Sequence, residues 1–342
     1  MGKIKIAQYW GAGCGGCDVA LLDIDEKVLG LAEYADIVFW PIAVDTKLKD
    51  VEAMPDGYIT ATLYNGAIRN TENLHVAKLL RQKSQLLISF GSCACFGGIP
   101  GLANTTTAKE ILDYVYTRTP SSDQLGAAEK DKVFPQGVTH TKDGDIDLPV
   151  LYETVRTLDQ VVDVDYYMPG CPPTVNLIGD FLTAVEKHVK EGAPLPPKGT
   201  VIASQKTLCD ECKRKKTVKS ISEMHETWDA DIDPDKCMLE QGIICLGPAT
   251  RAGCGAKCLN ANQPCRGCMG PTAAVMDQGG SMLSALASVF KVGDKESQLN
   301  EEDILKMMKQ VRDPLGTFYC YTLPKSIIKR TVTEKKKKEA KT

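Results

Sequence analysis

Basic charge, histidine and long apolar runs are all in short supply. Lys and Arg number 41 against 44 Asp and Glu, a net charge of −3 over 342 residues. Phosphate binding normally shows as a basic excess gathered on one face, so nucleic acid is excluded as the main partner. No uninterrupted apolar stretch approaches the roughly 18 residues of a membrane span. The opening MGKIKIAQYW lacks the charged, apolar and cleavage regions of a signal peptide. The expectation is a cytoplasmic protein. Its four histidines, His75, His140, His188 and His225, show no catalytic pairing, and no catalytic residue is assigned.

Cysteine is what the chain has in plenty, 14 in all. A cytosolic thiol pool reduces disulfides, so this many thiols point to metal or redox chemistry. All-thiolate sites select zinc or iron-sulfur clusters over hard cations, and spacing must decide between them.

Hydrophobic periodicity predicts strands at IKIAQYW, over 36–44, over 57–64, at SQLLISFG and over 161–170. Helices are expected over 18–34, 73–83 and 174–190. Strands alternating with helices imply an α/β fold with a parallel, doubly wound sheet. Residues 104–159 break the rhythm with polar turns and read as a surface excursion. The prolines of GAPLPPKG stiffen a linker, which suggests one domain over 1–195 and a cysteine-rich, irregular one over 200–324. Helical signal returns over 281–290 and 301–311, and a basic tail over 325–342 is expected to be disordered.

Cys14 and Cys17 follow the first strand, Cys93 follows SQLLISFG, and Cys171 follows the last strand in PGCPP. Open α/β sheets place their sites past the carboxyl ends of strands, so these three loops can converge on one four-thiolate site. The glycines at 11, 13, 15 and 16 let backbone come close and aim N–H groups at inorganic sulfur. Gly11, Gly13 and Gly16 also spell the GxGxxG dinucleotide fingerprint. Its acidic partner is poorly supplied: Asp36 has the distance but begins its strand, and Asp45 has the place but lies too far on.

The second region divides into two further fours. Cys209, Cys212, Cys237 and Cys245 form one, and Cys254, Cys258, Cys265 and Cys268 the other. Two tetrahedral zinc sites would explain such spacings. Twelve cysteines in three fours along one chain suggest an electron wire instead. Cys95 and Cys320 read as buried small hydrophobes, Cys95 facing away from Cys93 if the segment is extended. Lys213–Lys216 reads as a solvated basic run that could dock an acidic partner, and the apolar segment 96–102 as a contact for another subunit.

The motifs CGGC at 14–17, GSCACFGGIPG from Gly91 and PGCPP from Pro169 resemble those around the proximal cluster of nickel-iron hydrogenase small subunits. The later CDEC, QGIICLGPAT, CGAKC, PCRGC and GTFYCYTLP are similar to the gamma subunits of the methyl-viologen-reducing, non-deazaflavin-reducing hydrogenases of methanogens. The likeness covers roughly residues 3–329. It implies a flavodoxin-like sheet followed by an iron-sulfur domain, and three 4Fe-4S clusters. A proximal cluster would sit on Cys14, Cys17, Cys93 and Cys171, a medial one on Cys254, Cys258, Cys265 and Cys268, and a distal one on Cys209, Cys212, Cys237 and Cys245. Cysteine stands where periplasmic uptake enzymes use a distal histidine, which favours the cytoplasmic group. The related complex I subunit has adjacent cysteines in its first motif, unlike CxxC here.

The resemblance implies an electron relay that does not split hydrogen itself. Its partners would be a nickel-iron large subunit, a small iron-sulfur delta subunit and a flavin-containing heterodisulfide reductase. The alternatives are the gamma subunit of a deazaflavin-reducing hydrogenase and a zinc-stabilised interaction module.

Overall fold

The computed structural model describes residues 3–217, 220–221, 223–290, 302, 305 and 309–328. Six of the eleven residues of the helix expected over 301–311 lie outside these, as does the basic tail beyond 328.

Five parallel strands carry the first half of the chain: β1 (Ile4–Trp10), β2 (Ala35–Phe39), β3 (Ile59–Asn65), β5 (Ser84–Phe90) and β9 (Tyr166–Met168). Their order is β2-β1-β3-β5-β9, and β1 pairs with β3 from Ile6↔Ala61 to Trp10↔Asn65. Leaving aside strands outside this sheet, that is the 2-1-3-4-5 order of flavodoxin-like folds, whose ligands sit where the winding reverses between the first and third strands. Alternate residues serve opposite faces. Tyr64 and Leu87 pack with Val76, Ala77 and Leu80 of α4 (Thr71–Lys83), while Leu63 and Ile88 pack with Leu21 of α1 (Gly16–Leu22) and Ile178 of α7 (Val175–Glu191). Both faces being covered explains why these strands read as nearly continuous apolar runs.

Several boundaries differ from expectation. The helix predicted over 18–34 is two, α1 and α2 (Lys27–Tyr34), broken at Asp25, whose φ is 55°. Aspartate tolerates that left-handed turn better than most residues. The strand predicted over 36–44 stops at Phe39, because Pro41 has no amide to donate and the amides of Ala43 and Val44 turn back onto the Trp40 carbonyl. The strand predicted over 161–170 shortens to three residues.

The excursion is more ordered than its polarity suggested. Within it β8 (Leu151–Arg156) pairs antiparallel with β4 (Ile68–Asn70), and β6 (Val138–Thr141) and β7 (Gly144–Asp147) make an exposed hairpin. Two short helices, α3 (Leu48–Ala53) and α6 (Ala108–Asp113), complete this half with α5 (Ser92–Phe96). Beyond the prolines the chain returns to the sheet. Tyr167 donates to the Thr200 carbonyl at 3.1 Å, and Ile202 donates to the Tyr167 carbonyl at 2.7 Å.

Among its described residues the cysteine-rich half has little regular structure beyond α8 (Lys257–Asn260), α9 (Gln278–Val289) and the short helix Pro314–Phe318. Its own apolar cluster joins Leu208, Met238, Leu246, Met282, Leu286 and Phe318. It meets the first half along a glycine-lined seam. A Cβ at Gly97 or Gly101 would strike Pro324, and one at Gly270 would strike the Phe96 ring. The Gly98 amide donates to the Tyr321 carbonyl at 3.0 Å. Segment 96–102, expected to face another subunit, is therefore mostly consumed within the chain, and Ile99 alone in that segment stays largely exposed. The first residues of the expected tail are also ordered: Lys325 pairs with Asp159, and the Ile327 amide donates to Asp277 at 2.8 Å.

Candidate metal centre

Cys14 and Cys17 lie in the turn from β1 into α1, which is pinned to the end of β3 by a two-way bridge between Ala12 and Ala67 at 2.9 and 2.8 Å. Cys93 stands in the first turn of α5, just past β5, and Cys171 follows β9. The four thiols sense one another. Burial pushes the Cys17 thiol far up, and the neighbouring Cys93, Cys171 and Cys14 push it further. Cys93 is pushed up to about 12 by burial and then by Cys171 and Cys14, against the Ile99 amide, which favours the thiolate. Cys171 is raised by burial and then by Cys14, and the Tyr321 hydroxyl hydrogen-bonds it in the opposite sense. Glycine is required beside these sulfurs: a Cβ at Gly91 would lie 2.3 Å from Cys17 Sγ, and one at Gly98 would lie 2.5 Å from Cys93 Sγ.

The remaining two groups continue from there. Cys268 is pushed up to about 12 by burial, while the Cys171 amide points at its thiol and favours the charged form. Cys254 is raised by burial and held down by the amides of Ala256 and Lys257, with Cys258 adding to the rise. Burial raises Cys265 far up, followed by the charge of Cys245. The Cys265 amide in turn lies 3.4 Å from Cys245 Sγ. Cys245 is pushed up to about 11 by burial, opposed by the amides of Gly247 and Cys265, with Cys209 and Cys237 close enough to raise it. Cys209 is raised by burial and lowered by the Lys216 ammonium, which hydrogen-bonds it.

Buried thiols that resist losing a proton become stable thiolates when a metal takes the proton's place. Several already receive N–H bonds, such as those from Gly16 to Cys14 and from Gly267 to Cys265, each 3.4 Å. Among the described residues no three His, Cys, Asp or Glu side chains close on a point where one ion would be held. A zinc site needs four sulfurs about 2.3 Å from one centre, a closure that the thiols among the described residues do not make. The donor set is thiolate with amide N–H groups aimed at sulfur, which fits iron-sulfur ligation.

Other expectations resolve differently. Residues 92–96 are helical, not extended, yet Cys95 still turns inward: it is fully buried and its thiol donates to the Ser89 carbonyl at 3.3 Å. Cys320 is buried too. Asp36 sits at the start of β2 with Lys5 at 2.5 Å, at the wrong end of the sheet for a ribose. Sequence reasoning missed Tyr321 at Cys171, and also Asp18 beneath Cys17. It misread Arg214 as solvated: Arg214 is half-buried and bonds three carbonyls and an amide.

Residues 14–185 match the family described as NADH ubiquinone oxidoreductase, 20 Kd subunit. The iron-sulfur subunit of the F420-non-reducing hydrogenase of Archaeoglobus profundus is 37% identical over 333 residues, which cover 96% of this chain and 98% of that one. The chain belongs to the hydrogenase small-subunit family. The corresponding subunit of the F420-non-reducing hydrogenase of Methanothermobacter marburgensis is 35% identical, over 95% of this chain and 96% of its own. Among solved structures, a chain of an NAD+-reducing nickel-iron hydrogenase in its H2-reduced state is 31% identical with a TM-score of 0.45, covering 57% of this chain and 97% of that one. This hydrogenase small subunit is thus the electron-transfer part of an oxidoreductase complex. No helix among the described residues is long and apolar enough to cross a membrane.

Proposed function

We propose that this small subunit holds three 4Fe-4S clusters in line and relays electrons from a nickel-iron large subunit to a separate acceptor in the cytoplasm. The proximal set is Cys14, Cys17, Cys93 and Cys171, the medial set Cys254, Cys258, Cys265 and Cys268, and the distal set Cys209, Cys212, Cys237 and Cys245. One observation carries the reading: the three fours touch end to end. The Ser92 hydroxyl, next to Cys93, donates to the Cys268 carbonyl at 2.5 Å, and the Cys265 amide lies 3.4 Å from Cys245 Sγ. Bound there, the clusters would supply one-electron steps. The chain's own residues fix their spacing, keep water away and set their potentials through charge and N–H bonds to sulfur.

The acceptor we assign is a small iron-sulfur delta subunit serving heterodisulfide reductase, as the resemblance of the later cysteine motifs implies; the F420-non-reducing names of the relatives speak against a deazaflavin acceptor. Anaerobic purification of the intact complex tests both parts. About twelve iron and twelve sulfide per chain are expected, four of each per cluster, together with the large and delta subunits. Stoichiometric zinc without sulfide would instead mark a zinc-stabilised module, and rapid hydrogen-dependent reduction of free deazaflavin would mark the deazaflavin-type relay.

The acceptor should dock over Cys209 and Cys212, where Lys213 and Lys215 are exposed. Such charges act mainly on the rate of encounter, in a salt-dependent way. Lys213→Ser with Lys215→Ser is expected to slow transfer to the acceptor several-fold at low salt. The difference should vanish at high salt, with hydrogen-dependent viologen reduction unchanged. A salt-independent loss measured by stopped flow would place the docking surface elsewhere.

A further inference from the structure

Asp18 follows Cys17 directly, lies in the first turn of α1 and is 1% exposed. Three neutral groups reach its carboxylate from the carboxyl-end side of the sheet. Gln8 Nε2 at 2.9 Å and Trp40 Nε1 at 2.8 Å donate to Oδ1, and Asn65 Nδ2 at 2.8 Å donates to Oδ2. Among the described residues no Lys, Arg or His forms an ion pair with it. A buried carboxylate normally stands opposite a cation, because desolvating a lone charge is costly. Here both carboxylate oxygens accept from N–H groups, and neutral donors stand where a cation normally would. The Gln8 amide is turned to serve Asp18 even though its own Oε1 is left buried without a partner.

We propose that Asp18 is a positioning residue for electron transfer, placing an uncompensated negative charge behind Cys17 that lowers the reduction potential of the proximal site. The inference rests on the cluster reading above. An electron arriving at a four-thiolate site adds negative charge, and a fixed anion in a dry, low-dielectric setting opposes it. The far end of the relay carries the opposite sign, with Lys216 hydrogen-bonded to Cys209. An anion behind the first group and a cation beside the last bias electrons away from the proximal site toward the exit.

The test is an EPR-monitored redox titration of the proximal signal in the intact hydrogenase complex. Asp18→Asn is expected to favour reduction at least tenfold, which is about 59 mV upward for one electron. Turning the Asn65 amide keeps the bonds, so the fold should persist. The double variant Asp18→Asn with Asn65→Asp restores a buried charge and is expected to bring the midpoint back down. Gln8→Met removes one neutral donor and an unpartnered carbonyl, so it should shift the midpoint downward. Unchanged midpoints in Asp18→Asn and Gln8→Met, with only thermal stability reduced, would overturn the proposal in favour of a structural anchor. Failure of the underlying reading looks different: Cys171→Ala would then retain the full native iron content, and both proposals would fall together.

Discussion

On the proposed three-cluster reading, replacing Cys268 by Ala is expected to remove about four of twelve iron atoms and to bring hydrogen-dependent acceptor reduction to background. Cys268 sits at the junction of the two halves. Its thiol faces the Cys171 amide, and its carbonyl accepts the Ser92 hydroxyl at 2.5 Å. The substitution leaves that carbonyl in place, so the seam keeps its hydrogen bond while the medial group loses a ligand. Electrons would then reach the proximal site with no next step toward Cys245. Exchange of deuterium gas with water at the nickel-iron centre of the proposed large subunit needs no net export of electrons, so it should continue near the native rate. Native acceptor reduction with iron reduced by four would remove the medial group from the path. Loss of exchange along with reduction would mean that the variant fails to assemble.

Much of this arrangement was legible before the structure. Cys14 and Cys17 follow the seven-residue β1 and Cys93 the seven-residue β5, and buried parallel strands are the easiest element to read from an apolar run, whereas Cys171 follows the three-residue β9. What escaped was short or held by side chains. β4 has three residues and no pattern of its own; it exists because β8, some eighty residues later, pairs with it. α5 was hidden by its five-residue length and by the glycines at each end, Gly91 with φ 84° and Gly97 with φ 97°. The fate of segment 96–102 was equally invisible, because the Pro324 that covers Gly97 and Gly101 lies more than two hundred residues away.

The site divides along the same line. Ligand candidates could be read off because a thiolate needs a cysteine, and spacing groups them. The residues around the ligands could not, because their roles depend on partners distant in sequence. Asp18 draws donors from the ends of β1 and β3 and from the residue after β2, so only the folded sheet assembles its pocket. Tyr321 reaches Cys171 from the far side of the seam. Spacing alone favoured clusters but left zinc open as the lesser alternative. Contact between the groups, through Cys171 with Cys268 and Cys265 with Cys245, is a property of the folded chain that no count of intervening residues contains.

Arg214 shows how far one residue in the basic run departs from its neighbours, and Arg214→Ala is expected to destabilise the distal loops by on the order of 3 kcal/mol. Its guanidinium donates to the carbonyls of Asp233 at 2.8 Å, Lys236 at 3.0 Å and Leu259 at 3.1 Å, and to Asn262 Oδ1 at 2.6 Å. It thereby ties the turn carrying Cys209 and Cys212 to the loop carrying Cys237 and to the end of α8, which carries Cys258. Removing it strands several partly buried acceptors at once. Arg214→Lys should rescue little, since one ammonium cannot span four acceptors that a planar fork reaches. In the intact complex both variants should bleach the distal cluster at a lower temperature than native, followed by its visible absorbance on heating. Lys213→Ser with Lys215→Ser should bleach at the native temperature, because those side chains are exposed and only steer encounter. Should Arg214→Ala match the lysine variants, with native bleaching and a salt-dependent slowing, Arg214 would belong to the docking patch and not to the framework of the distal site.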